Sequence, residues 1–105
     1  MERQEELHAI ISSYLHAGID VVRGPLTVKD AQKELTQDAE RASSRGLRIV
    51  PGGPEWEALK AKLKRGDKLY FYKTDRQSWR ELRGREGYVA IRGNEVIGDF
   101  LTIMN

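Results

Sequence analysis

Three runs towards the C-terminal end, Lys68–Thr74, Arg85–Arg92 and Glu95–Ile103, alternate their side chains with a period of two and are bounded by turn residues. Successive side chains of an extended strand leave opposite faces, so each run is predicted to be a β-strand. Leu69 and Phe71 take one face of the first, Tyr70 and Tyr72 the other. In the second, Val89 and Ile91 lie opposite Tyr88 and Ala90. Gly93-Asn94 tolerates positive φ and joins the last two strands in a hairpin. In the last strand Ile97, Leu101 and Ile103 share a face with Asp99, so a bulge is expected at Gly98-Asp99, because a buried unpaired carboxylate is costly.

Upstream the apolar period changes to that of a helix. Leu7, Ile10, Ile11, Tyr14 and Leu15 form one stripe, which predicts a helix over 2–17 stopped by Gly18. Ile19–Val22 is short and β-branched, a connector or a marginal strand, and Gly24-Pro25 breaks it. Thr27 through Asp30 resembles a capping box and opens a second helix over 28–45, with a thin alanine-rich apolar side and a stop at Gly46. Leu47–Val50 reads as extended chain or the entry to a turn. Pro51-Gly52-Gly53-Pro54 is the strongest punctuation, and Pro54 starts a third helix over 54–65 with Trp56, Leu59 and Leu63 on its buried side. The expected architecture is one α+β domain spanning 1–105. It has two layers, with two or three N-terminal helices packed on a three-stranded antiparallel sheet. The far face of that sheet would present Tyr70 and Tyr72 to water.

Composition narrows the function. The chain has no cysteine, which removes disulfides, thiolate nucleophiles and Cys-ligated metals, and fits a cytoplasmic protein. The acidic start Met1 to Glu6 is unlike a secretory signal, and no run is long and apolar enough for a bilayer. His8 and His16 are the only histidines; on one helix they stand about 12 Å apart, too far to share a metal. No Gly-x-Ser-x-Gly elbow, phosphate loop or zincin spacing is present, so neither a cofactor nor a metal is expected. The net charge of +2 hides a polarity. Residues 1–59 hold 7 basic and 10 acidic side chains, residues 60–92 hold 11 and 4, and residues 93–105 add two acids.

The segment Gly66-Asp67-Lys68-Leu69-Tyr70, the pattern Ser78-Trp79-x-x-Leu82-x-Gly84-x-x-Gly87-Tyr88 and the ending Thr102-Ile103-Met104-Asn105 carry a resemblance. Over residues 66–105 the chain resembles a group of small bacterial α+β proteins with a C-terminal three-stranded meander. That resemblance implies an integral C-terminal strand and brings no activity and no site residues with it.

The basic middle is the candidate site. Arg76, Trp79, Arg80 and Arg83, with the sheet tyrosines Tyr70 and Tyr72, would form a contact surface for an acidic protein partner. Trp79 reads either as a contact or as a core lid. Ser78 and Glu81 have capping-box spacing. The expected function is a small cytoplasmic protein-binding module, immunity- or inhibitor-like, rather than an enzyme. The same surface would suit nucleic acid through phosphate neutralisation and base stacking. A third reading is an enzyme with a carboxylate pocket near Asp99. A homodimer could form by pairing at a sheet edge.

Overall fold

The computed structural model describes residues 4–44 and 53–104. Among them the element order is α1 (Gln4–Leu15), β1 (Ile19–Leu26), α2 (Val28–Ser44), α3 (Pro54–Lys62), β2 (Lys68–Thr74), α4 (Arg76–Arg80), β3 (Arg85–Arg92) and β4 (Glu95–Met104). The predicted stretch Leu47–Val50, the stop at Gly46 and the turn residues Pro51 and Gly52 lie outside the described residues.

The class is α+β, but the sheet has four antiparallel strands in the order β1-β2-β3-β4. The added strand is β1, which pairs with β2 from Ile19↔Thr74 to Leu26↔Leu69. Gly24 and Pro25 sit inside it, where the pairing skips between Arg23 and Leu26. Proline is tolerated there because β1 is an edge, and an edge strand needs only its inward backbone groups for the ladder. The strand alternative expected over Ile19–Val22 is thus the one found, and it continues through Gly24-Pro25, read as a breaker, to Leu26.

The two-layer expectation is also corrected, because helices cover both faces. On one face Ala31 and Leu35 of α2 and Trp56 and Leu59 of α3 pack on Leu69, Tyr88, Ala90 and Phe100. On the other, Leu7 and Ile11 of α1 pack on Val22, Tyr70, Tyr72, Val89 and Ile91. The alternation itself holds residue by residue, with Leu69↔Ala90 and Phe71↔Tyr88 facing α2 and α3, and Tyr70↔Val89 facing α1. The tyrosine face is apolar enough to need its own cover, since a tyrosine ring buries as much area as a large aliphatic side chain. The α1 stripe needs a floor in turn, and the chain supplies it by running α1 under the sheet before β1 joins the edge.

Polar links hold the layers in register. Gln32 of α2 accepts the Trp56 indole N–H at 2.6 Å. Glu34 of α2 accepts the Tyr88 O–H at 2.6 Å and both Arg23 N–H groups at 2.5 and 3.2 Å. The Arg23 hydrogen bond, with that of Tyr88, holds the Glu34 carboxyl below its ordinary value although burial opposes it. Tyr14 of α1 donates its O–H to Asp99 of β4 at 2.8 Å.

Several local expectations shift. The α1 helix ends at Leu15, where His16 (φ 56°) takes the left-handed turn expected of Gly18 and the Ala17 N–H bonds back to the Ser12 carbonyl. Thr27 caps α2 as expected, accepting from the Asp30 N–H at 3.0 Å. In β4 the irregularity falls one residue early: Ala90 pairs with Gly98 and Ile91 with Val96, so Ile97 is the extra residue. Ile97 therefore packs against the α2–α3 core, away from Asp99 and Leu101.

Candidate partner-binding surface

The α4 turn is built by one carboxylate and two glycines. Asp75 caps the helix, its Oδ1 accepting both the N–H of Ser78 at 2.9 Å and the Ser78 hydroxyl at 2.8 Å. The Ser78 backbone N–H, with the Ser78 hydroxyl, keeps the Asp75 carboxyl below its ordinary value. The capping role expected of Ser78 thus belongs to Asp75, with Ser78 as the donor three residues on. The Asp75 N–H also donates to the Gly18 carbonyl at 3.0 Å, tying α4 to the entry of β1. A Cβ on Gly18 would fall 2.0 Å from the Asp75 Oδ2, so only glycine allows the approach.

The helix closes with the Arg83 N–H on the Ser78 carbonyl at 2.8 Å and the Leu82 N–H on the Trp79 carbonyl at 3.3 Å. This double closure needs a left-handed residue at its fifth position, which is usually glycine. Leu82 occupies it with φ 60° and leaves 74% of itself exposed. The Trp79 ring is half-buried against Gly84, where an added Cβ would sit 2.1 Å from the ring.

Of the six predicted contact residues, four share this turn. Arg76, Arg80 and Arg83 are exposed on α4 and its exit, and Trp79 is half-buried beneath them. Arg83 is partly engaged by Glu81, which also accepts from Gln77. The other two are corrected. Tyr70 is 5% and Tyr72 0% exposed, both under α1, so no tyrosine-bearing sheet face meets water. Leu82 is the residue sequence reasoning missed. Glycine is the usual occupant of a left-handed closing position, so nothing in Arg80-Glu81-Leu82-Arg83 marks the leucine as its occupant.

Two other basic side chains of the middle are engaged elsewhere. Arg92 is clamped on Asp67 through Nε and Nη2, each at 2.9 Å, which with the Lys64 N–H pulls the Asp67 carboxyl down to about 2. Lys60 pairs with Glu57 at 2.7 Å and lies over the Trp56 ring. Asp99 is no open bulge carboxylate, since it receives the Tyr14 hydroxyl, and burial together with Asp99 pushes the Tyr14 phenol upward. Among the described residues no group of three His, Cys, Asp or Glu side chains is placed to hold a metal ion, and no helix is long and apolar enough to cross a membrane.

The chain is thus a small α+β domain with a four-stranded sheet between helices and one arginine-rich turn at a sheet end. Compared with protein-family models, with curated proteins and with solved structures, it matches none.

Proposed function

We propose that this chain is a small cytoplasmic protein-binding module, immunity- or inhibitor-like, whose contact surface is the α4 turn. The observation that carries the reading is Leu82. A left-handed backbone costs an ordinary L-residue about 1–2 kcal/mol. Here that strained position holds a large apolar side chain turned into water, between Arg80 and Arg83. Strain of this kind is held by the surrounding hydrogen bonds and clusters at binding and switching sites. An apolar anchor rimmed by arginines suits an acidic partner surface with an apolar recess. The nucleic-acid reading is less favoured, since Tyr70 and Tyr72 are covered and Trp79 is part-buried, which leaves fewer rings for base stacking.

The test uses immobilised wild-type protein and the variants Leu82→Asp and Arg76→Glu/Arg80→Glu, with capture from nuclease-treated cell extract. A protein retained by wild type and lost from both variants, at unchanged thermal midpoints, is expected. Retention that survives both variants places the contact elsewhere, and retention abolished by nuclease makes nucleic acid the ligand.

A further inference from the structure

Resting on that reading of the α4 turn, we propose that the turn docks on a second copy of this chain, Leu82 entering the groove between α1 and the β3–β4 hairpin. That groove is a shallow depression open to solvent, with about 520 Å³ of space over it. It is lined by the apolar Ala9, Ile10 and Val96 together with Ser13, Tyr14 and Glu95. The volume admits a leucine side chain together with part of the turn that bears it.

Charge favours this occupant. Glu95 lines the groove, and Asp99 lies further along the same strand, bonded to the hydroxyl of Tyr14. The nearby Arg92 is already held by Asp67. Glu95 and Asp99 thus set two carboxylates beside the apolar side chains of the groove. The α4 turn is the converse, an exposed leucine with Arg76 and Arg80, neither of which makes an ion pair among the described residues. One molecule carries both halves of a matched contact.

The two halves cannot meet within one chain. α4 joins the end of β2 to the start of β3, whereas Glu95 follows the far end of that eight-residue strand. A strand of that length separates its ends by roughly 25 Å. The contact must therefore run from the head of one copy to the tail of the next. Exchanged reciprocally between two copies it closes a symmetric dimer, and repeated in one direction it adds subunits in a row or a ring. A leucine in a shallow groove is far smaller than a stable interface of about 1,600 Å², so association is weak and shows only at high protein concentration. Opposed surface charges make it weaker in salt.

The experiment is sedimentation velocity over a concentration series on the full chain, with Leu82→Asp and Ala9→Arg. Both substitutions fall on exposed positions, so the fold is retained. Wild type should show a mass that climbs with concentration and falls with added salt. Each variant alone should stay monomeric, its association weakened about tenfold or more. An equimolar mixture of the two should form a one-to-one dimer that grows no further, because one copy keeps its groove and the other its leucine. A wild type that stays monomeric throughout, self-association untouched by either variant, or a mixture without the dimer each overturns the proposal. Extract capture lost in Leu82→Asp alongside a monomeric wild type overturns only the second-copy assignment. Capture and self-association both unchanged in Leu82→Asp overturn the reading of the α4 turn as well.

Discussion

Removing the hydroxyl of Tyr72 should make the protein more stable, against the usual direction for a change in a core. The whole residue is buried, and its oxygen has no hydrogen-bond partner among the described residues. Burying an unsatisfied polar atom costs about 1–3 kcal/mol, which Tyr72→Phe returns. The void left by one oxygen takes back a few tenths of a kcal/mol at about 24 cal/mol per Å³. The net expected gain is about 1 kcal/mol, or about 4–8 °C in midpoint for a domain near this size. Tyr88→Phe is the matched control, since it removes an O–H that donates to Glu34 at 2.6 Å, and it should lower stability by about 1.5–3 kcal/mol. Urea denaturation followed by tryptophan fluorescence measures both. Alkali supplies a second readout. Burial raises the Tyr72 phenol well above the ordinary 10.0, so in the folded state it stays protonated where the unfolded chain ionises. Its contribution is complete below pH 10 and is lost as pH rises further, so Tyr72→Phe should flatten the alkaline limb. A Tyr72→Phe protein less stable than wild type would falsify the account of this hydroxyl.

Leu82→Gly should keep or slightly raise the thermal midpoint, because glycine relieves the left-handed backbone, while abolishing partner capture; a clear fall in midpoint would make Leu82 a structural residue. Asp67 is held at about 2 mainly by Arg92, so its contribution is present above the ordinary 3.8 and lost as pH falls towards 2. Asp67→Asn should lower the midpoint at neutral pH and flatten the acid limb between those values; an unchanged acid limb would refute the clamp. Ile91→Asp should unfold the protein, since Ile91 is 1% exposed, whereas Leu101→Asp should leave a cooperative melt, since Leu101 is 38% exposed. Circular dichroism melts separate the two. Gly84→Ala should displace Trp79 and cost about 1–3 kcal/mol, visible as a shifted tryptophan emission; unchanged emission would show that the ring is not seated on Gly84.

The parts of the fold legible in the sequence are those where neighbours along the chain decide the outcome. Alternation in Leu69 to Tyr72 and Tyr88 to Ile91 assigned each side chain to its face, and Gly93-Asn94 located the hairpin. Thr27 marked a helix start for the same reason. What stayed hidden depends on distant partners. Whether Tyr70 and Tyr72 meet water is decided by α1, whose stripe could dock on either face as far as its own sequence shows. Pro25 looks like a terminator unless the strand is known to be an edge. Ile97 changes face through one extra residue, which period-two counting cannot register. The candidate site was legible through its arginines and Trp79, while Leu82 became visible only with its backbone angle.

The order in which β1 is reached along the chain has a consequence for assembly of the fold. β2, β3 and β4 follow one another through short connections, so their ladders close small loops. β1 must wait for β2 across everything from Thr27 to Asp67, and α1 has no complete floor until β1 arrives. Contacts closing long loops carry the larger entropic barrier and tend to form late. The C-terminal meander is thus expected to serve as the kinetic seed of folding, with the N-terminal quarter as the clasp that fastens last.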